Sequence, residues 1–306
     1  SLSAYFNIKK GISSLESAKT SLLQMDSEGF GSNTMTAYKG FKSGRSSLKR
    51  LKWIFSVFGI SDKYFSYDKL LSSLVFSSKA GNIGSAAIKP LESVLNTIRP
   101  DNSSTIDEGL FEDAKVSITS ARDYLRLAEA DISGVDSLAF PVKYRSLLDE
   151  FKSYLFQSQE VSESLSVVMS GLPQALGVGK ERKYIVWFQN SNEIRPTGGF
   201  IGSYALLSIE SGKIKDLTID DIYNPDGQID VRNIKTEPPE PIKNFLNEET
   251  LYLRNSNWDP DFTKSSKTFD DIYFKINGET IDGYIALDLS FVEGLLEVTG
   301  PIFLAS

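Results

Sequence analysis

Two packing periods meet in this chain, and together they predict an α+β protein. An elongated N-terminal helical bundle over residues 1–175 is followed by an α/β unit, α-β-α sandwich-like, over 184–306. Three observations carry this reading. Apolar residues recur every three or four positions through the first 175 residues. The stretch "PQALGVGKERK" (173–183) interrupts that pattern as a linker. From residue 184 onward, short apolar runs bounded by turns alternate with helical stretches.

In the first part, Ile8, Ile12, Leu15, Ala18 and Leu22 line one helical face. Asn33 is placed to cap a second helix carrying Met35, Tyr38, Phe41, Leu48, Leu51, Phe55 and Phe58. "DKLLSSLVFSSKAGNIGSAAIKPLESVL" predicts a third, weakened at Gly81 and Gly84 and kinked or split by Pro90. "STIDEGLFEDAKVSITSARDYLRLAEADI" predicts a fourth, opened by a Ser/Thr cap with acidic residues after it. A fifth carries Leu147, Leu148, Phe151, Leu155, Val161, Leu165 and Val168 and stops at Gly171 and Pro173.

In the second part, "YIVWFQN" (184–190) reads as a buried strand and "FIGSYALLSIES" (200–211) as the next. Ser211-Gly212 turns the chain into "KIKDLTIDDIY" (213–223). "PDG" (225–227) reads as a turn. "PPEPIKNFL" and "TKSSKTFDDIYFKING" read as helices and "DGYIALDL" (282–289) as a strand. "SFVEGLLEVTG" has Ser290 and Glu293 at capping-box spacing and Gly300 as a stop. "VTGPIFLAS" then opens a further apolar strand, so the α/β unit reads as incomplete at its C-terminal side. With no initiator Met, signal peptide or 18-residue apolar run, the chain reads as a segment of a longer protein.

Composition narrows the chemistry. The 306 residues include no Cys and no His, which removes disulfides, thiolate or imidazole metal sites and every His-based triad. A metal site would need oxygen ligands, as Mg2+ and Ca2+ accept. The net charge of −7 divides into about +2 for residues 1–180 and −9 for the rest, which argues against nucleic acid.

Candidate site residues sit on two loops. "NSNEIRPTGGFIGSY" (190–204) carries Arg195 and Thr197, and "RNSNWDPDF" (254–262) carries Arg254 and Asn257. Two guanidiniums flanking a sheet edge could converge on one anion. The alternative is that each pairs with a local carboxylate, such as Glu193 or Asp259. "TGGFIG" matches no phosphate-loop pattern and precedes a strand, so a tight turn is the plainer reading. Asp259 and Asp261 could hold Mg2+ beside a phosphate. Asp216, Asp220, Asp221, Asp226 and Asp230 read as a solvated acidic loop. Lys39, Lys42, Arg45, Lys49, Arg50 and Lys52 read as a solvated helix face, or as a contact for anionic lipid or wall polymer.

Five stretches, taken in order, resemble an envelope family known as domain of unknown function 4012. They are "YIVWFQNSNEIRPTGGFIGSYALLSIESGKI", "DIYNPDGQ", "EPPEPIKNFL", "LRNSNWDPDF" and "DGYIALDLSFVEGLLEVTGPI". That resemblance implies an extracytoplasmic, cell-surface protein, membrane-anchored through an upstream segment outside this chain, with a domain that continues past "TGPI". More distantly, the same order is similar to the LytR-CpsA-Psr transferases, which move glycopolymers from a polyprenyl-pyrophosphate carrier using arginines and Mg2+. Arg195 then stands as the anion clamp. Gly202 or Ser203 stands where that group has an Asp, and Asp220-Asp221 where it has Arg-Asp. The expectation is therefore a module that binds an anionic envelope glycan or lipid-linked phosphate and is able to self-associate. A metal-assisted phosphotransferase and a non-catalytic surface-layer or adhesion module are the alternatives.

Overall fold

The computed structural model describes residues 2–98 and 106–300. It comprises two compact units, Ser1–Val178 and Gly179–Ser306. The first is helical: α1 (Leu2–Leu23), α2 (Ser27–Arg50), α3 (Lys52–Val57), α4 (Ser61–Gly84), α5 (Lys89–Ile98), α6 (Gly109–Ser133) and α7 (Arg145–Ala175).

Helices α1 and α2 approach closely because α2 presents glycine to its neighbour. A Cβ at Gly40 would lie 2.6 Å from the Asn7 carbonyl oxygen, inside any real contact. Phe41, Ala37, Leu71 and Val75 close the core beside that seam. Arg45 crosses to α4 as a two-pronged pair with Asp68, at 2.8 and 3.0 Å. That member of the basic run is therefore a structural cation.

Several boundaries differ from expectation for local reasons. Asp26, not Asn33, caps α2, accepting from the Gly29 amide at 2.8 Å. Glu92 then accepts from both the amide and the hydroxyl of Ser27, at 2.6 and 2.7 Å. Asn33 sits inside the helix and donates to Ser21. The third predicted helix splits after Gly84 into a 3-10 turn, Ser85–Ala87, and Pro90 falls in the first turn of α5, where a missing N–H costs little. Helix α7 continues through Gly171 and Pro173 to Ala175. The Ser104-Thr105 cap and the strand after Gly300 lie outside the described residues.

The second unit holds a four-stranded mixed sheet: β1 (Arg182–Asn190), β2 (Phe200–Glu210), β3 (Lys213–Asp221) and β4 (Gly283–Asp288). Its order is β3-β2-β1-β4, with β1 antiparallel to β2 and parallel to β4. Ser211 and Gly212, both at positive φ, make the tight β2–β3 turn. Between β3 and β4 run α8 (Tyr223–Val231), α9 (Glu240–Leu246), a 3-10 stretch Leu253–Trp258 and α10 (Phe262–Asn277). Helix α11 (Leu289–Thr299) follows β4.

The core lies between one sheet face and these helices. Ile185, Trp187 and Tyr204 from the strands meet Ile229, Ile242, Phe269 and Ile272. The Trp187 ring stands 5.3 Å from that of Phe269 and 5.7 Å from that of Tyr284. On the opposite face, Leu217 and Ile219 of β3 are 51% and 64% exposed. The second helical layer expected of a sandwich therefore does not cover β3 among the described residues.

Two further expectations are corrected. "PDG" is not a turn but part of α8, with Pro225 in its first turn. The cap of α11 is Asp288, which accepts from the Phe291 amide at 2.8 Å, so Ser290 lies within the first turn of the helix.

Candidate functional site

The Arg195 loop is a compact turn. Gly198 adopts φ +121, and a Cβ on Gly199 would collide with the Asn190 carbonyl. The Gly198 amide donates to the Arg195 carbonyl at 3.0 Å, and that of Phe200 to Glu193 at 3.0 Å. Arg195 is thereby folded back on its own loop. Its Nη2 lies 3.0 Å from Glu193 Oε1 and 3.3 Å from Asn255 Oδ1, and its Nη1 donates to the Ile194 carbonyl. The side chain is 13% exposed.

Arg254 is held more tightly. Its Nη1 meets Asp226 Oδ2 at 3.0 Å and its Nη2 meets Glu248 Oε1 at 2.6 Å. The guanidinium lies over the Tyr252 ring, 4.0 Å from its centroid. Asp226 Oδ1 accepts the Leu253 amide at 2.7 Å. Burial pushes this carboxyl up to about 6, against the pull of the Leu253 N–H and of Arg254. Asn255 joins the two arginines, because its Nδ2 donates to Glu248 Oε2 at 2.9 Å while its Oδ1 accepts from Arg195. One chain of hydrogen bonds thus runs from Glu193 through Arg195, Asn255, Glu248 and Arg254 to Asp226.

Thr197 and Asn257 tie the same two loops. Asn257, fully buried, donates from Nδ2 to Thr197 Oγ1 at 2.9 Å and to the Gly199 carbonyl at 2.7 Å. Thr197 also accepts from Gln189 at 3.0 Å. Arg195 Nε and Asn257 Oδ1 have no protein partner.

The four binding candidates thus lie on two tied loops, the arginines closed by three carboxylates and Thr197 and Asn257 bonded to each other. The sequence pattern anticipates Glu193 for Arg195. It suggests Asp259 for Arg254, where the structure uses Asp226 and Glu248. Asp226, expected in a solvated loop, is 2% exposed.

Asp259 and Asp261 shape the start of α10. Asp259 Oδ1 accepts the Asp261 amide at 2.8 Å, and Asp261 Oδ1 accepts from Thr263 and Lys264. Among the described residues no three acidic side chains gather as a metal site. Both carboxylates are turned to backbone amides at the start of α10, where they serve as helix-start chemistry. Gly202 and Ser203 lie beside the end of β3. Ser203 pairs with Asp221, and the Gly202 carbonyl accepts from Ile222.

Open space lies elsewhere. A cleft of about 760 Å³ runs between residues 236–239, residues 256–260 and the flank of α10. Trp258 is half-buried there, with Pro238, Pro239 and Pro260 beside it. Thr236, Thr268, Asp271 and Lys275 supply hydrogen-bonding groups, and Lys275 Nζ stands 3.3 Å from Thr236 Oγ1. Two lysines, Lys264 and Lys275, face three carboxylates, Glu237, Asp259 and Asp271. Sequence reasoning missed this cleft, although its walls come from "EPPEP" and "NSNWDPDF".

Comparison with known proteins bears on the same unit. Residues 179–306 match the family model described as "Protein of unknown function (DUF4012)". Residues 179–306 are a DUF4012 domain. No curated protein and no solved structure matches the chain. Both arginine loops, their network and the Trp258 cleft lie within the DUF4012 domain. No helix among the described residues is long and apolar enough to cross a membrane.

Proposed function

We propose that this chain is a non-catalytic adhesion module of the cell envelope, displayed at the cell surface by an upstream membrane anchor. Its DUF4012 domain grips glycan through the Trp258 cleft. The observation that carries the reading is the division of labour in this domain. Both arginines are spent on Glu193, Asp226 and Glu248, while the accessible space lies beside Trp258. Cations closed by carboxylates hold loops in register and have little charge left for a phosphate.

The cleft suits a sugar. The faces of Trp258 and its prolines match the C–H face of a pyranose, and the Thr, Asp and Lys groups match its hydroxyl edge. Carboxylates outnumber ammonium groups in the lining, which favours a neutral or amino-sugar glycan over a phosphorylated one. Placement outside the cytoplasmic membrane rests on the family resemblance.

The test is calorimetric titration with N-acetylglucosamine oligomers and, separately, with polyprenyl phosphate. Trp258→Ala, and as a fold-neutral control the exposed pair Asp271→Ala with Lys275→Ala, should each lower oligosaccharide affinity. Arg195→Ala should leave it unchanged. Saturable polyprenyl-phosphate binding that Arg195→Ala abolishes at unchanged Tm would overturn the reading.

A further inference from the structure

One end of the first unit carries an unusual surface. Where α2 ends and α3 turns into α4, Trp53, Val57, Phe58 and Phe65 are 67%, 73%, 72% and 51% exposed. Gly59, at φ +65, makes the turn at the tip. The start of α1 lies at the same end, because Ala4 and Ile8 share an apolar groove with Leu48, Leu51 and Tyr67. There Tyr5 and Phe6 are 62% and 58% exposed.

Cations are interleaved with these side chains. Residues 47–65 hold Lys49, Arg50, Lys52 and Lys63 against the single carboxylate Asp62, a net charge of +3 in a chain whose total is −7. Lys52 Nζ sits 5.7 Å from the Phe65 ring centroid and 5.8 Å from that of Tyr64, within cation–π range of both. Arg45, paired with Asp68, is not part of this surplus.

From this arrangement we infer that the α2–α3–α4 tip docks peripherally on an anionic lipid surface. Trp and Phe are the side chains that settle at the depth of lipid headgroups, and Lys and Arg beside them meet lipid phosphates. The chemistry fits a bilayer better than a protein, because lysine is depleted from the cores of protein interfaces, whereas here lysines sit among the aromatics. The contact is made by the chain's own folded residues and is separate from any membrane-spanning anchor. It is also independent of the glycan cleft, which lies in the other unit.

The test is co-sedimentation of the full chain with vesicles of phosphatidylcholine, with and without phosphatidylglycerol. Binding should require phosphatidylglycerol and weaken as salt is added. Trp53→Ser with Phe58→Ser should lower partitioning by about tenfold or more, and so should Lys49→Glu with Arg50→Glu. These side chains are exposed, so circular dichroism and Tm should stay at wild-type values. Trp258→Ala should bind vesicles normally, which separates this inference from the glycan reading. Equal binding to both vesicle types, or partitioning that neither tip variant lowers, would overturn it. So would vesicle-free dimerisation that Trp53→Ser abolishes, which would assign the patch to a second copy of the chain.

Discussion

Arg254 and Asp226 form a salt bridge whose carboxylate is the more deeply buried partner. Nη1 and Oδ2 stand 3.0 Å apart, with side-chain exposures of 19% and 2%. Such a pair is asymmetric, since removing either partner leaves the other charged and desolvated. Arg254→Ala also strands Glu248. It is expected to destabilise the second unit by about 3–5 kcal/mol in urea unfolding. Arg254→Lys should recover only part of this, because one ammonium cannot serve two carboxylates and stack on Tyr252 as a guanidinium does. A loss under about 1 kcal/mol would show that the bridge is no stronger than a surface pair.

Asp226 links the same bridge to pH. Its folded-state value of about 6 lies above its ordinary 3.8, so the folded chain holds that proton more tightly than the unfolded one. The contribution to stability is therefore fully present below the ordinary value. It is lost as pH rises through about 6. Unfolding free energy measured across that window should fall with rising pH for this group, and Asp226→Asn should flatten the slope. An unchanged slope in Asp226→Asn would assign the dependence to other groups.

Two glycines of one segment should respond oppositely. Gly199→Ala drives a methyl into the Asn190 carbonyl and is expected to cost about 2 kcal/mol or more. Gly202, inside β2, leaves open space where a Cβ would stand, with no atom within 4 Å. Gly202→Ala should therefore be neutral or stabilising by about 0.5–1 kcal/mol, through the lost freedom of the unfolded chain. Thermal melts of the two variants decide this.

Asn257 ties the Arg195 loop to the segment that carries Trp258. Its Nδ2 holds Thr197 and the Gly199 carbonyl, and the next residue is Trp258. Asn257→Ala should cost about 1–3 kcal/mol through unpaired buried groups. It should also weaken glycan binding, because the Trp258 wall loses its support. Wild-type affinity in that variant would show that the cleft does not depend on the Thr197–Asn257 tie.

Much of the fold was legible because it depends on local patterns. The three-to-four periodicity placed the long helices, and the Ser211-Gly212 hairpin follows from backbone preference. The misplaced caps show the limit. Asn33 and Ser290 have capping chemistry, but Asp26 and Asp288 are the residues that stand just outside their helices and accept a first-turn amide. Asp226 reads as solvated because its neighbours in sequence are acidic and turn-like. Its burial depends on Arg254, 28 residues away, and on Pro225 starting a helix. The cleft was hidden for the same reason, since nothing local to 236–239 or 256–260 says that they face each other.

On the proposed reading, the second unit meets its ligand beside Trp258 and uses its arginines to hold itself together. Amide chemical-shift mapping during titration with N-acetylglucosamine oligomers tests this most directly. Perturbed amides should cluster at residues 236–239, 256–260 and the flank of α10 from Lys264 to Lys275. Perturbations confined to residues 190–199, elicited by polyprenyl phosphate and not by the oligosaccharide, would contradict it.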